Sequence, residues 1–573
     1  MYEEELVKKC NTIKKLWQYI NLKIKGNKSN KNSHIDYINV NNKRIDDPLK
    51  ISENFNNFFA NIGHNIAKDI TKKSEPEFNI VNNNSIFLTK IDKTEISKII
   101  MSLNKASGVD KISAAVLKLI ATYVTSPLTY VLNLCVDKGY WPISLKKSEI
   151  IPIFKGGDKH DMTNYRPISL ISNIAKIFER LIYNRLVNFF EKNNILANNQ
   201  FGFIGKRGTN DALIKVSEFI YENIDKSKPT LATFLDFKKA FDTVNHDILI
   251  HRLRSYGVRG LALDLIISYL NDRTQSVRLK NISSNNSKVT IGVPQGTILG
   301  PLFFIVYINE LLKLLPQNLI SYADDTVILY TGNTWNEVQN NMNASLDIVG
   351  DWLASNQLSL NVTKSVYMVF STSKKNIPNN LNIKINGRIL NSVNEYKYLG
   401  IIFESNMKWE KHLKNTTNRL RYTLFVINKL KYHLLPTTLI SIYYALFHSV
   451  ANYGIVAWGG TYKKYLSCIN NLQIRLCKVI NKYSDRRIIN IHESYVVNTV
   501  TYYHKNLKSM YLDSTSITRN KSIILPKTYK RIGANRSYIT AIKNFNKLPK
   551  NLKLIETSAK LLKNKIFRTL LHN

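Results

Sequence analysis

Apolar residues recur every three or four positions in several long segments of this chain, a spacing that predicts helices buried on one side. The segments are residues 47–70, 114–138, 170–193, 300–315 and 334–355. A further helix follows Thr89, which we expect to cap it, with Ile91, Ile96 and Ile99–Ile100 on its inner side. Gly257 separates two more helices, and helices dominate from about residue 407 onward.

Short apolar runs bounded by polar turns predict strands between these helices. The runs are SEIIPIFK (148–155), LATFLDF (231–237), QSVRL (275–279), KVTIGV (288–293) and SVYMVF (365–370). LISYADDTVILY (319–330) reads as two strands joined by a turn. Strands and helices alternate without an internal repeat, so we predict an α+β fold with one antiparallel sheet and helices on one of its faces.

The acidic pair Asp324–Asp325 interrupts this otherwise apolar strand pair. Burying two adjacent ionised carboxylates is costly, whereas acids at the tip of a tight turn project into a cleft. Crowded acids tolerate ionisation when a divalent cation lies between them. Asp236, at the end of the strand 231–237, is the best third acid. We therefore predict that Asp236 and Asp324 converge at one edge of the sheet.

Three converging acids indicate a site for two Mg²⁺ ions, for which Mn²⁺ could substitute. Mg²⁺ prefers oxygen ligands that carboxylates share with substrate phosphates. Two ions about 3.5–4 Å apart stabilise the attacking and leaving oxygens of a phosphoryl transfer. Asp325 would assist rather than bridge the ions. On its own, the triplet Ala323–Asp325 is more often a solvated turn, and only its context gives it weight.

The charge of the chain narrows the class of partner. The 573 residues include 81 Lys and Arg against 41 Asp and Glu, a net charge of +40. An excess of this size favours a polyanion over a merely solvated surface. Residues 501–573 alone hold sixteen basic and two acidic residues. No uncharged apolar stretch of about 18 residues occurs, so no membrane partner is expected.

Length and cysteine content set two further limits. The chain is too long for one core, and with 44% hydrophobic residues it can build several. Cys10, Cys135, Cys468 and Cys477 are too scattered for a disulfide framework, which fits a reducing compartment. Cys468 and Cys477 lack the spacing of a zinc knuckle, so we expect buried thiols.

Several segments occur in a fixed order along the chain, namely NKASGVDKI, GYWPISLKKSEIIPIFKGGDKHDMTNYRPISL, NNQFGF, LDFKKAFDTVNHDIL, GVPQGTILGPLFFIVYINEL, YADDTVILY, LSLNVTKSVYMVF and YKYLGIIFESNMKWEKHL. Together they resemble the reverse transcriptases of non-LTR retrotransposons of the LINE type, jockey-like among them. The resemblance covers roughly residues 85 to 480. Ordered agreement of several motifs is far more specific than any one of them. It implies a right-hand polymerase whose palm is a ferredoxin-like antiparallel sheet.

The resemblance also implies a division of the chain into five parts. They are a helical N-terminal extension and linker (1–84), the fingers (85–230), the palm with the catalytic acids (231–395), a primer grip with a helical thumb (396–480) and a basic C-terminal region (481–573). The leading residues are too few for the endonuclease domain that such elements commonly carry. We therefore expect part of a longer element, a truncated copy or a gene-model fragment, with a separate endonuclease as partner.

By the resemblance, Asp236 and Asp324 are the metal ligands and Asp325 is the third acid, the same residues that the strand pattern indicates. Phe241 stands where the family has a bulky steric gate that collides with a ribose 2′-hydroxyl and favours deoxynucleotides. The alternative for Phe241 is an ordinary core side chain.

The resemblance implies further contacts to substrate. Arg166 and Lys155 would grip the triphosphate, Arg through paired hydrogen bonds and Lys as a point charge. Gln295 and Gly296 of GVPQG would approach the nucleotide and the template. Lys364 would protonate the departing pyrophosphate as a general acid. For Lys155 and Lys364, an ordinary surface lysine remains the alternative.

No catalytic role is expected at the other positions that match the family. Asp242 and His246 match the family, but a capping or hydrogen-bonding role suits both better. The family usually has a basic residue directly after GF, where this chain has Ile204 followed by Lys206 and Arg207. This departure leaves the template contacts of the segment open.

The function implied is that of an RNA-directed DNA polymerase with an RNA template, a DNA primer and deoxynucleoside triphosphates as partners. Location in nucleus and cytoplasm follows, because DNA priming needs nuclear access and translation is cytoplasmic. One rival is an RNA-templated RNA polymerase, against which YADD and Phe241 argue, or an intron-encoded maturase, against which the lack of a recognisable maturase segment argues. Another is an inactive relic or domesticated RNA-binding protein that keeps the fold.

Overall fold

The computed structural model describes residues 35–70, 74–103, 107–371, 377–378, 381–481, 488–518 and 522–571. Its strands are, in chain order, β1 (Ile38–Val40), β2 (Lys43–Ile45), β3 (Lys147–Phe154), β4 (Tyr165–Leu170), β5 (Thr230–Leu235), β6 (Arg273–Leu279), β7 (Ile282–Ser283), β8 (Ser287–Val289), β9 (Leu319–Tyr322), β10 (Asp325–Thr331), β11 (Val366–Phe370), β12 (Lys384–Ile385), β13 (Arg388–Ile389), β14 (Asn391–Ser392), β15 (Glu395–Tyr398) and β16 (Ile401–Glu404).

The helices are, in chain order, α1 (Pro48–Lys68), α2 (Lys93–Ser102), α3 (Ala114–Leu119), α4 (Ala121–Asp137), α5 (Asn173–Lys192), α6 (Thr209–Asp225), α7 (His246–Ser255), α8 (Leu261–Leu270), α9 (Leu299–Leu314), α10 (Trp335–Ser355), α11 (Glu410–Leu430), α12 (Pro436–Tyr443), α13 (Ser449–Ala451), α14 (Ile455–Trp458), α15 (Lys463–Asn481), α16 (Ile491–Leu512), α17 (Ser537–Asn546), α18 (Lys550–Lys553) and α19 (Ala559–Leu571). The predicted long helices are therefore confirmed within a few residues at their ends, except that residues 114–138 form two helices, α3 and α4, which meet at Ile120.

One five-stranded sheet carries the acidic residues, and we call it the acidic sheet. Its strand order is β14-β11-β5-β10-β9. β5, β9, β10 and β11 pair antiparallel, and β14 joins the edge parallel to β11. With β6–β8 as an insertion, these four antiparallel strands alternate with helices as β-α-β-β-α-β, the ferredoxin-like pattern. The antiparallel pairing predicted around Asp324 is thus present.

The prediction of a single sheet is wrong, because the hairpin around residues 275–293 lies in a second sheet, which we call the basic sheet. Its strand order is β4-β3-β6-β7, with β8 also paired to β6. β3 and β6 run parallel, from Lys147 opposite Thr274 to Ile150 opposite Val277. The paired strands are distant in the chain, and no local periodicity specifies such a partner.

Helices cover both faces of the acidic sheet, so the expectation of helices on one face is also wrong. Leu231 and Leu235 of β5 pack in a hydrophobic cluster with α5 and α7–α10. Ala232 and Phe234 pack in another cluster with α6, α11 and α15. Because successive strand residues point to opposite faces, a strand buried on both sides carries no charged residues, and β5 has only Thr230 and Thr233 besides its apolar side chains.

The N-terminal helix α1 packs against the basic sheet. Phe55 and Phe59 of α1 share a hydrophobic cluster with Ile150 of β3. Gly63 is needed for the close approach of α1 to the turn after β5, since a Cβ there would lie 2.0 Å from the Asp242 carbonyl oxygen. The predicted helical extension therefore borders the candidate site, and it also includes the β1–β2 hairpin, which the sequence pattern did not predict.

The basic C-terminal region folds around its own hydrophobic cluster, formed by α16–α19. It is fastened to α6 by acidic residues. The Asp225 carboxylate accepts the backbone N–H groups of Tyr529 (3.1 Å) and Lys530 (2.7 Å). Arg536 forms an ion pair with Glu218 at 3.0 Å. The positive charge of Arg536 is thus paired with an acidic side chain of the protein itself.

Thr89 does not cap α2, contrary to the prediction. Asp92 is the N-cap, and its side chain accepts the N–H of Thr94 at 2.7 Å. Glu95 bonds back to the N–H of Asp92 at 3.4 Å. This reciprocal capping box satisfies two N–H groups at once, which a Thr cap three residues earlier would not do here.

The expectation of buried thiols at Cys468 and Cys477 is wrong for Cys468 and holds only in part for Cys477. Cys135 is buried, Cys477 is half-buried and Cys468 is exposed. Cys468 is exposed because α15 turns Ile469 towards the core. Cys10 lies outside the described residues. None of the helices in the described ranges is both long and apolar enough to cross a membrane.

Candidate active site

The acidic pair lies at the tight turn that joins β9 to β10. Tyr322 and Asp325 are paired residues, so Ala323 and Asp324 form the turn. Ala323 has a left-handed conformation with φ of +57°, as two-residue hairpin turns commonly require. Asp324 and Asp325 are both exposed. This agrees with the expectation that acids at the tip of a turn project into a cleft.

Asp236 follows directly after β5, which lies beside β10. The antiparallel register pairs the last residue of β5 with Thr326, so one further step brings Asp236 beside Asp325. The N–H of Asp236 donates to the hydroxyl of Ser365 (3.1 Å), and its carbonyl accepts the N–H of Asn361 (2.7 Å). Acids from two strands therefore meet at one end of the acidic sheet.

The carboxylate of Asp236 lies close enough to the pair Asp324–Asp325 to oppose the ionisation of both. Although Asp324 and Asp325 remain exposed, the protein around them displaces part of their water, and this raises the pKa of both. The charges of Asp324 and Asp236 add to the effect and raise the pKa of Asp325 to about 6. For Asp324, its own backbone N–H and the charges of Arg166 and Lys155 oppose the rise in pKa.

In the described part of the chain, no three Asp, Glu, His or Cys side chains are gathered closely enough to hold a metal ion as they stand. Asp236, Asp324 and Asp325 nevertheless offer the oxygen donors that Mg²⁺ prefers. A cation would also relieve the repulsion that raises the pKa of Asp325. The residues fit a divalent ion by their chemistry, and their role as ligands stays a prediction.

Basic side chains approach the acids from the basic sheet. Lys155 follows β3 and Arg166 lies in β4, and both are exposed. The backbone N–H of Lys155 donates to the carbonyl of Asn164 (2.9 Å), two residues before Arg166, and this bond keeps Lys155 near Arg166. Partial burial lowers the pKa of Lys155, and the charges of Lys239 and Arg166 lower it further. Both residues act electrostatically on Asp324.

Two more lysines, Lys239 and Lys364, border the same cleft, and the sequence pattern indicates only Lys364. Lys239 has φ of +47°, and its ammonium group donates to the Thr163 carbonyl at 3.1 Å. Burial lowers the pKa of Lys239, while Asp242 opposes this change. Lys364 is exposed, and its charge reaches Lys239. In the sequence, Lys239 differs in no visible way from Lys238, so only the folded turn reveals it.

Phe241 is half-buried in the 3₁₀ turn Ala240–Thr243. Its ring stacks on Phe304 of α9 with centroids 4.6 Å apart, and Phe203 meets it edge to face at 6.4 Å. Phe203 is exposed and has φ of +54°, which is uncommon for an aromatic residue. Phe241 is therefore anchored in the core while part of its ring remains accessible, which agrees with both readings of this residue.

The GVPQG segment is tied to its neighbours by hydrogen bonds. The Gln295 amide donates to Asp242 Oδ1 (2.9 Å), and its carbonyl accepts the N–H of Ser169 (2.7 Å). Gly296 has φ of +101°, and a Cβ there would lie 3.1 Å from the Ser169 carbonyl oxygen. Burial raises the pKa of Asp242. Nε2 of His246 bonds to a carbonyl of the same segment at 2.8 Å, so Asp242 and His246 have the hydrogen-bonding role expected.

The YKYLG segment, at the start of the predicted primer grip, forms a hairpin in which β15 pairs antiparallel to β16. Tyr396 of β15 stacks on Phe234 of β5 with centroids 4.3 Å apart. Partial burial raises the pKa of Tyr396 to about 12, and the charges of Asp325 and Asp236 contribute. The hairpin therefore lies beside the acids, and its contact with a primer stays a prediction.

The two basic residues after Ile204 have different surroundings. Arg207 donates to the carbonyls of Ala197 (3.0 Å) and Gln200 (2.9 Å), so it holds the preceding loop together. Lys206 is exposed. Of these two residues, only Lys206 presents an exposed side chain for a template contact.

Comparison with known proteins agrees with these features. Residues 155–403 match the family model described as reverse transcriptase (RNA-dependent DNA polymerase). A probable RNA-directed DNA polymerase from transposon BS of Drosophila melanogaster is 31% identical over 66% of this chain and 43% of its own length. The RNA-directed DNA polymerase from the mobile element jockey of the same species is 27% identical over 69% of this chain and 44% of its own length.

A probable RNA-directed DNA polymerase from transposon X-element of Drosophila melanogaster is 28% identical over 74% of this chain and 46% of its own length. This chain thus spans less than half the length of these curated relatives. A solved structure of telomerase from Candida albicans with a fragment of telomeric RNA aligns over 61% of this chain and 66% of its own, at 13% identity and a TM-score of 0.33. A likeness at that level is too distant to inform the fold.

Proposed function

Because this chain belongs to the reverse transcriptases of non-LTR retrotransposons, we propose that it is an RNA-directed DNA polymerase. It would add deoxynucleotides to a DNA 3′ end while copying an RNA template. One observation carries this proposal: Asp236 from β5 and the pair Asp324–Asp325 from the neighbouring hairpin lie at one end of the acidic sheet, with basic side chains from the basic sheet near them.

In the proposed enzyme, Asp236 and Asp324 hold two Mg²⁺ ions, Asp325 is the third acid and Mn²⁺ can substitute. Bound divalent ions would lower the pKa of the primer 3′-hydroxyl and offset the charge on the triphosphate. The position of all three acids directly at strand ends supports this role, because short side chains on fixed strands keep their geometry.

The basic residues of the cleft would bind the triphosphate. Arg166 can donate paired hydrogen bonds to phosphate oxygens, and Lys155 adds a point charge. The charge of Lys239 acts on Lys155. This proximity supports a contact between Lys239 and the same triphosphate. Lys364 would give a proton to the departing pyrophosphate.

Phe241 would exclude a ribose 2′-hydroxyl, and Gln295 with Gly296 would support the template and the incoming base pair. The stacking of Phe241 on Phe304 supports the gate, because a ring held from behind resists displacement by a substrate. The bond from Gln295 to Asp242 supports the second role, because it links the GVPQG segment to the same turn as Phe241.

The remaining assignments extend this proposal. The fingers comprise residues 85–230, the palm 231–395, and the primer grip and thumb 396–480, flanked by residues 1–84 and the basic region 481–573. The enzyme would act in nucleus and cytoplasm, on a DNA primer that a separate endonuclease supplies.

The decisive test is extension of oligo(dT) on poly(rA) by purified protein with Mg²⁺ and dTTP. The wild type should extend the primer, and Asp324→Ala should bind the same hybrid without extending it. Extension with ribonucleotides alone would indicate an RNA polymerase instead. Equal binding by both proteins with extension by neither would contradict the proposal and leave an RNA-binding protein.

A further inference from the structure

The side chain of Gln200 is completely buried beside the turn that carries Asp324. Its Oε1 accepts the N–H of Ala323 (3.0 Å) and the N–H of Gly202 (2.8 Å). Its Nε2 donates to the hydroxyl of Ser321 (3.2 Å). One buried amide therefore bonds directly to the residue that precedes Asp324.

Ser321 closes this network from the other side. Its hydroxyl donates to the carbonyl of Ala323 at 2.6 Å. Both backbone polar groups of Ala323 are thus bonded by side chains, and Ala323 is the residue with φ of +57°. An alanine keeps a left-handed conformation only when its surroundings hold it there. The network therefore supports the conformation that sets the direction of the Asp324 side chain.

The backbones of the two segments also meet closely. The N–H of Ser321 donates to the Asn199 carbonyl at 3.0 Å. A Cβ on Gly202 would lie 2.5 Å from the nitrogen of Ala323, so only glycine allows this approach. We call Gln200, Gly202 and Ser321 the turn brace.

We propose that Gln200 is a positioning residue, which fixes the turn so that Asp324 and Asp325 face Asp236. This inference rests on the proposed function, since the acids that it positions are the proposed metal ligands. A buried amide that only stabilises the fold would be expected to bond to several elements without a preference for the turn. The side-chain bonds of Gln200 instead end at Ala323 of the turn, at Ser321, which itself bonds to Ala323, and at Gly202, which abuts the turn.

Asn199 provides a matched control in the same loop. It is also buried, and its amide donates to the carbonyls of Leu312 (2.9 Å) and Leu319 (2.8 Å), neither of which belongs to the turn. Asn199→Ala therefore removes buried hydrogen bonds from this loop without removing a bond to Ala323.

Gln200→Met tests the proposal, because it keeps the length of the side chain and removes its hydrogen-bonding groups. We expect kcat for primer extension to fall about a hundredfold, the order of loss that misplacement of catalytic groups produces. KM for the nucleotide should change little, since the basic residues are untouched. Hydrogen–deuterium exchange at the N–H of Ala323 should become faster. Asn199→Ala should keep both kcat and slow exchange at Ala323.

Three results would overturn the proposal. They are unchanged exchange at Ala323 in Gln200→Met, unchanged kcat in the folded variant, and an equal loss of kcat in Asn199→Ala. If the wild type extends no primer, the proposed function fails, while the exchange measurement still decides the positioning role. If Gln200→Met does not fold, Ser321→Ala tests the same network with a smaller expected effect, and unchanged exchange at Ala323 would again contradict it.

Discussion

The acidic sheet and the basic sheet contribute opposite charges to one cleft, and they hold these charges differently. Asp236, Asp324 and Asp325 have short side chains at a strand end or in the tight turn. The backbone of Asp236 is hydrogen-bonded through both its N–H and its carbonyl, and Asp325 pairs with Tyr322. Lys155 and Arg166 reach the same region on long, exposed side chains. The carboxylates therefore cannot easily move apart. The Lys155 and Arg166 side chains, in contrast, keep much of their conformational freedom and of their hydration.

Loss of surrounding water, together with the charges of Asp324 and Asp236, raises the pKa of Asp325 to about 6. Fixed carboxylates repel one another until a cation joins them. A solvent-exposed Lys or Arg side chain destabilises the folded protein little, and its charge makes the binding of a polyanion more favourable. The comparison predicts that substitutions in the acidic sheet act mainly on kcat, and that substitutions in the basic sheet act mainly on KM.

The largest expected effect is that of Asp236→Asn. The amide keeps the size of the side chain but removes the charge that a metal ion needs, so kcat for primer extension should fall at least about a thousandfold. Binding of the RNA–DNA hybrid, measured by fluorescence anisotropy, should stay nearly constant. A large loss of hybrid binding with normal kcat would contradict the claim that substitutions in the acidic sheet act mainly on kcat.

Arg166→Ala should have the next largest effect, and on KM rather than kcat. Losing charge-assisted hydrogen bonds to phosphate should raise KM for the nucleotide about 10- to 100-fold. Arg166→Lys should recover part of this loss, because it keeps the charge without the paired geometry. Steady-state kinetics on poly(rA)–oligo(dT) separates the two parameters. An effect confined to kcat would place Arg166 with the acids instead.

Lys239→Met should raise KM for the nucleotide about two- to fivefold, as expected for one partly solvated charge. Lys238→Met is the matched control, because Lys238 is the adjacent, exposed lysine. Its KM should be unchanged, and raising the salt concentration should shrink the difference between the two variants. Equal effects of both substitutions would mean that only net charge matters at this position.

The smallest expected effect concerns stability without divalent ions. The pKa of folded Asp325 is about 6 against an ordinary value of 3.8, so its ionisation destabilises the folded state as pH rises through this interval. Asp325→Asn should therefore have a slightly higher Tm than the wild type above pH 6, slightly because the side chain is exposed. Below about pH 4 the difference should vanish, since Asp325 is then protonated in both states.

Differential scanning fluorimetry across pH, with and without Mg²⁺, checks this prediction. Mg²⁺ should stabilise the wild type more than Asp325→Asn above pH 6. A difference in Tm that is constant across pH would show that ionisation of Asp325 does not destabilise the fold.

The sequence was sufficient for features that local pattern encodes. Asp236 and Asp324 could be placed at neighbouring strand ends because an apolar run ending in an acid, and an acidic pair between two apolar runs, both mark strand ends. The second sheet could not be predicted, because the parallel pairing of β3 with β6 joins distant parts of the chain. Gln200 and Lys239 were missed for a related reason: each is defined by a partner that only the folded chain brings near.

The central claim is that Asp236 and Asp324, assisted by Asp325, hold the divalent ions of the reaction. Electron paramagnetic resonance of Mn²⁺, titrated into protein with primer–template and a non-hydrolysable deoxynucleotide, tests it most directly. We predict two bound Mn²⁺ per wild-type chain, as a two-metal site requires, and weakened binding in Asp236→Asn and Asp324→Asn but not in Asn199→Ala. Equal Mn²⁺ binding by all four proteins would contradict the account.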